Sequence, residues 1–176
     1  VLDDQDTEMQ DVLDDFLEYC AHDGLFLGSD SWKYMKMQLS GKTFDGNVRS
    51  GVYFNRAASA SRPHDYIGLY RNKTVAAIGK ICARITAEQD ADGQFLYTVE
   101  QGELTEKRER TIRQIMEEEK KRGNDLFSIK HRYFFVEKFY ETDFPKRTLR
   151  APMGPRIFDL TQVLNTDHLP DTAEIA

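Results

Sequence analysis

His64-Asp65-Tyr66-Ile67-Gly68-Leu69-Tyr70-Arg71-Asn72-Lys73-Thr74-Val75-Ala76-Ala77-Ile78-Gly79-Lys80-Ile81 holds two apolar, β-branched runs divided by a two-residue break. His64 to Tyr70 predicts one strand and Val75 to Ile85 a second, joined by a tight turn at Asn72-Lys73 that lacks the usual glycine. Gly79, inside the second strand, predicts a bulge or a close backbone approach, as at a barrel corner.

Further strands lie on both sides of this hairpin. Upstream, Gly51-Val52-Tyr53-Phe54 is a short strand, followed by a polar loop at 55–63 that carries Arg56 and Arg62 and ends at Pro63. Downstream, Asp92-Gly93 turns the chain into a strand at Phe95 to Glu100. Residues 103–122 predict a charged helix with acid-first pairs four apart (Glu103–Lys107, Glu106–Arg110, Glu109–Arg113, Glu117–Lys121, Glu118–Arg122), an apolar seam of Leu104, Ile112, Ile115 and Met116, and a stop at Gly123. Tyr133 to Tyr140 and Arg156 to Leu160 complete six strands, with a basic loop at 145–155 between them. Thr161 to Leu164 is a helical turn, and the tail from Asn165 is expected to fray.

At the other end, Met9, Val12, Leu13, Phe16, Leu17 and Cys20 form one stripe of a helix over 5–23, closed by Gly24. Ser29 or Asp30 would cap a second helix through Trp32, Met35 and Leu39, with Trp32 as its core anchor and a loop from Gly41 to Gly51 after it. The strands do not alternate with helices as regular βαβ units. The expected fold is therefore α+β: a small, mostly antiparallel β-barrel with flanking helices. It divides into an acidic helical extension at 1–45, the barrel at 46–164 and the tail at 165–176.

The chain has 176 residues, 40% hydrophobic and 31% charged, which is enough for a core without staples. Its two cysteines, Cys20 and Cys82, stand in apolar stretches with no metal or redox spacing, so buried thiols in a reduced, cytoplasmic protein are expected. No apolar run is long enough to span a membrane, and the opening Val1 to Glu8 is too acidic for a signal peptide. The chain opens on Val1 rather than Met, which leaves room for a larger parent chain. The net charge of −6 hides a segregation: residues 1–30 hold ten acids and 157–176 four, both without Lys or Arg, so residues 31–156 carry all 24 basic groups against 16 acids, a net of +8. Such a body attracts phosphate backbones, or is simply a solvated mixed surface.

Nucleotide-hydrolase, dinucleotide, zinc-protease and serine-hydrolase motifs are all missing. His22, His64, His131 and His168 have no metal-ligand spacing, and no cofactor or metal is expected. His64 and Tyr66 open the hairpin beside Arg56 and Arg62, a group able to stack on a base and hold phosphate, or a plain strand start. Lys146, Arg147 and Arg150, with Arg156 close by, form the densest cationic loop, suited to phosphate or simply solvated. Lys73-Thr74 with Glu100 is a weaker set for amide cleavage.

The hairpin from His64 to Ile81 resembles PUA-like domains, the EVE and ASCH families among them, in which a strand and a Tyr- and Lys-bearing turn lead into a strand with a glycine among isoleucines. The resemblance spans roughly residues 50–160. It implies a pseudobarrel closed by the strands around Phe134-Phe135-Val136 and Arg156-Ile157-Phe158-Asp159-Leu160, binding RNA or a modified DNA base between its loops, often in restriction and defence systems. The added N-terminal 45 residues depart from that pattern, and no aromatic cage can be aligned onto the chain.

The sequence therefore favours a nucleic-acid-binding module, possessing a pocket for one flipped or modified base. Arg56, Arg62, Lys73, Lys146, Arg147 and Arg150 are its phosphate contacts, and Tyr53, His64 and Tyr66 its stacking or base-edge group. The alternatives are a protein-interaction scaffold docking through the helices at 5–23 and 103–122, and an ASCH-type hydrolase of an acylated nucleoside. A protein partner or parent chain is compatible with each; a membrane is not expected.

Overall fold

The computed structural model describes residues 30–58, 62–90, 92–145 and 154–176, together with Phe16. Apart from Phe16, the helix expected at 5–23 lies outside them, as does the basic loop with Lys146, Arg147 and Arg150.

The predicted hairpin is present as β3 (Tyr66–Arg71) and β4 (Thr74–Gln89). Asn72 and Lys73 both take positive φ, 50° and 66°, as a two-residue turn matching the strand twist requires. At sixteen residues β4 is far longer than the sequence indicated. Its first half pairs with β3 on one side and β7 (Tyr140–Pro145) on the other, its second half with β5 (Phe95–Gln101) and β6 (His131–Val136). The single strand expected at 133–140 is thus two collinear strands, broken at Glu137 to Phe139. Register shifts along β4, between Val75 and Ala77, Ile81 and Ala83, and Arg84 and Ile85, bend it between two sheet sectors. Gly79 lies on no such shift. Its role is close approach, because a Cβ there would meet Val136 Cγ1 at 2.9 Å and Phe139 Cδ1 at 3.0 Å.

Two expectations fail upstream. Tyr34–Leu39 is a strand, β1, where a helix through Trp32, Met35 and Leu39 was expected, so a strand of the sheet falls inside the stretch read as a helical extension. It runs parallel to β3 and antiparallel to β8 (Arg156–Asp159), and burial on both sides overrides the helix-like spacing. Met35 and Met37 pack with Tyr66, Val75, Ile78 and Leu160, while the alternate residues Lys36 and Gln38 are buried as well. Trp32 precedes the strand and is 40% exposed, not a core anchor. The loop read from Gly41 to Gly51 contains a helix, α1 (Phe44–Ser50), ended by Gly51 at φ 68°. Residues 40–65, carrying α1 and β2 (Val52–Arg56), provide the long crossover that a parallel β1–β3 pair needs.

The eight strands run β2-β6-β4-β3-β1-β8, with β5 and β7 also on β4, in an open sheet rather than the expected closed barrel. The sheet is nevertheless curled. The Tyr53 hydroxyl on β2 donates to Gln38 Oε1 on β1 at 3.2 Å, although three strands separate them in the order. The charged helix α2 (Glu106–Lys121), capped by Thr105, lays Ile112, Ile115 and Met116 on Val52, Ala83, Ile85, Tyr133 and Phe135. Cys82 is half-buried against that cluster. Inside the curl, Phe44, Tyr53, Ile67, Leu69, Ile81, Phe134 and Val136 form a second core. Leu169 and Ile175 pack on the third, where α3 (Leu160–Leu164) and α4 (Thr172–Ile175) cover β1 and β3, so the tail read as fraying carries ordered contacts.

Gly79→Ala should lower unfolding free energy by about 1–3 kcal/mol, the usual effect of overpacking. Gly46→Ala, with nothing within 4 Å of the added carbon, should be neutral or stabilising by about 0.5–1 kcal/mol. Urea denaturation of both variants checks the contrast.

Candidate functional site

The sheet register builds two rows of side chains across β2, β6 and β4. Tyr53 opposes Phe134, which opposes Arg84; Asn55 opposes Arg132, which opposes Thr86. Directly paired residues point to one face, and the residues alternating with them (Val52, Tyr133, Phe135, Ala83, Ile85) meet α2. Both rows therefore line the concave face, opposite the helix. The Tyr53 and Phe134 ring centroids are 6.2 Å apart, and the Arg84 guanidinium lies 5.3 Å from the Phe134 centroid. Buried Lys36 and Gln38 of β1 belong to the opposing wall, linked to the first row by the Tyr53–Gln38 bond.

His64 completes the group just ahead of β3. It is 1% exposed, its ring centroid 5.7 Å from that of Phe134, with Nδ1 2.7 Å from the Arg62 carbonyl oxygen. A carbonyl oxygen only accepts, so Nδ1 carries the proton and Nε2 is an acceptor. Burial, then the Arg84 charge, push the imidazole pKa down to about 3, so the ring is neutral at physiological pH. Arg84 donates to the His64 carbonyl at 3.0 Å, and Arg132 is held by Glu100 through Nε and Nη2 at 2.8–3.1 Å. Burial raises the Tyr53 phenol to about 12, keeping it a neutral donor.

Four buried polar atoms on these walls have no hydrogen-bond partner among the described residues: Gln38 Nε2, Asn55 Oδ1, Arg84 Nε and Thr86 Oγ1. Each such group costs about 1–3 kcal/mol unless something polar meets it. Two donors, one acceptor and one hydroxyl that does both suit a guest with a mixed hydrogen-bonding edge.

The structure brings together only part of the set expected from sequence. Tyr53 and His64 meet at Phe134; Arg62 reaches His64 through its backbone carbonyl, while its guanidinium sits on Tyr34, 4.0 Å from the ring centroid and 2.8 Å from the hydroxyl. Tyr53 and His64 are buried, so they are wall groups and not exposed stacking platforms. Tyr66 faces the opposite side of β3, buried against Met35 and Leu160. Arg56 is exposed on the α2 side of β2, and Lys73 is exposed at the far tip of the β3–β4 hairpin. Lys73 and Thr74 stand at one end of β4 while Glu100 pairs near Arg84 in its other half, so the amide-cleaving set is not assembled. Sequence reasoning missed Arg84, Arg132, Asn55, Thr86, Lys36 and Gln38. Their signal was polar residues at every second position of strands whose other face is apolar. Among the described residues no three His, Cys, Asp or Glu side chains are placed to hold a metal, and no helix is long and apolar enough to cross a membrane.

No family model matches the chain, and no curated protein matches it. Among solved structures it is similar to a crystal structure of a mutant ZmASCH from Zymomonas mobilis, at 12% identity and a TM-score of 0.45, over 77% of this chain and 97% of that one. The likeness assigns no residue a role.

His64 fixes a pH dependence. Its folded pKa lies below the unfolded value of 6.5, so the unfolded chain binds more protons in between, and stability is lost as pH falls from 6.5 towards 3. At pH 5 the loss from this group is about 2 kcal/mol relative to pH 7.5. His131, also lowered by burial, adds in the same direction. Urea denaturation at the two pH values should show His64→Gln losing less stability on acidification than the parent chain; equal losses would mean that His64 is not held neutral.

Proposed function

We propose that this chain is a nucleic-acid-binding module whose concave sheet face accepts one extruded nucleobase. The reading rests on a single observation, the four partnerless polar atoms of Gln38, Asn55, Arg84 and Thr86 grouped on walls that also carry Phe134, His64 and Arg132. A base is planar and offers donors and acceptors along one edge, which matches such a set. Extruding it costs least from a single strand or a damaged pair, so those are the preferred substrates. Lys146, Arg147 and Arg150 are the phosphate contacts, drawn from the basic middle of the sequence.

A second reading has one observation of its own. Leu96, Tyr97 and Val99 on β5 are 41%, 54% and 39% exposed, which suits a protein partner. A co-purifying protein, with no oligonucleotide binding at low salt, would favour it.

Thr86→Val separates binding from folding. It removes a hydroxyl that has no partner, so stability should hold or rise, whereas affinity for a single-stranded oligonucleotide should fall about fivefold, near 1 kcal/mol. Unchanged affinity in fluorescence anisotropy would remove the concave face from the binding site. Replacing Lys146, Arg147 and Arg150 together by Ala should reduce the slope of log affinity against log salt by about 2–3. An unaltered slope would take the loop out of the phosphate path.

A further inference from the structure

A groove of about 360 Å³ runs between α1 and α2, on the side of β2 away from the concave face. Its α2 wall follows one stripe from Lys107 through Thr111 and Ile115 to Arg122, about 22 Å of helix. Half-buried Phe54 and buried Ile115 line it as apolar surface. The hydroxyl protons around it are already spent: Thr43 donates to the Ser40 carbonyl, Ser50 to that of Asn47, and Thr111 to that of Lys107. The carboxylates are engaged at the far end of the stripe. Glu119 accepts from Arg122 and Asn124, and Glu118 accepts from Gln114. At the other end Lys107 stands in the first turn of α2, where the helix dipole is positive, and Arg49 comes from the last turn of α1. Neither has a carboxylate within ion-pair distance among the described residues.

We infer that this groove is a second ligand site, taking a phosphate ester whose organic part covers the Phe54–Ile115 surface while the phosphate meets Arg49 and Lys107. Its cations without an ion-pair partner among the described residues are Arg49 and Lys107, which favours an anionic ligand; its lining is partly apolar, so a bare inorganic anion leaves that surface unused. The required chemistry, a phosphate joined to a flat or apolar body, is that of a nucleotide, whether free or as one unit of a chain. The site shares no residue with the concave face and does not depend on the reading given to that face.

Calorimetric titration of the full chain with adenosine monophosphate, inorganic phosphate and a short single-stranded oligonucleotide tests the inference. The mononucleotide should bind more tightly than inorganic phosphate, and the double variant Arg49→Ala/Lys107→Ala should weaken it at least tenfold. Both side chains are exposed, and the variant's unfolding curve should match that of the parent. Any mononucleotide binding that persists in the double variant and is then removed by adding Thr86→Val belongs to the concave face, which keeps the two sites apart. Loss of oligonucleotide affinity in the double variant assigns the groove to a nucleic-acid chain, and retained oligonucleotide affinity assigns it to free nucleotides. Equal mononucleotide binding by the parent and the double variant, or none by the parent at millimolar concentration, would overturn the site.

Discussion

Every amide and carbonyl along both edges of the sixteen-residue strand Thr74–Gln89 needs a partner, and no single neighbour is long enough to supply one edge. The chain meets this with four strands laid end to end in pairs: β3 then β5 along one edge, β7 then β6 along the other. The edges change neighbour in close succession, between Ile78 and Ile81 where β7 gives way to β6 and between Lys80 and Arg84 where β3 gives way to β5. β3 begins opposite Lys80 and β5 ends opposite Arg84, so the backbone between them is reached by the segment just before β3. Asp65 accepts from the Ile81 amide at 2.7 Å, and the His64 carbonyl takes the Arg84 side chain. The seam that lets β4 bend is also what carries His64 and Arg84 into the interior.

The two faces of the bent sheet then diverge chemically. Against α2 the residues are aliphatic and aromatic, and burial there drives folding. On the concave side the same strands present Asn55, Arg84, Thr86 and Arg132, with Lys36 and Gln38 opposite. A fold selected for stability alone would place apolar side chains at these positions, since buried polar groups left unmatched oppose folding. His64 shows how the charge is managed: kept neutral by burial and by Arg84, it lines the wall without adding another cation to Arg84, Lys36 and Arg132. The arrangement has physical sense if a polar, planar guest completes it.

Much of this framework was legible in the sequence. The hairpin, β2, β5, the charged helix and the last strand follow from alternation, turn residues and i,i+4 pairing, because those signals are local. β1 was not legible: Met35 and Leu39 fit a helix stripe, and only tertiary pairing with β3 and β8 shows that Lys36 and Gln38 are buried between Met35, Met37 and their neighbours. The break at Glu137 to Phe139 escaped for the same reason, since it is set by the bend of β4 and not by a turn residue. Of the residues singled out by their aromatic and polar types, His64 and Tyr53 come together at Phe134. Tyr66 lies apart from them, on the other face of β3, because the β1 and α3 residues that bury it are remote in sequence, and the arginines of the concave rows read as ordinary strand residues. On α2, Arg122 pairs with Glu119 and not with Glu118 as spacing implied, which leaves Glu118 to Gln114.

The most direct test of the concave face as a binding surface is nuclear magnetic resonance of its own side chains during titration with a single-stranded oligonucleotide. The Arg84 Nε–H and the Gln38 side-chain amide report on atoms that have no partner among the described residues. Both signals are expected to shift and saturate together as the oligonucleotide is added, because a base edge would supply their missing partners. Binding that leaves both signals in place, or no binding at low salt, would contradict the account.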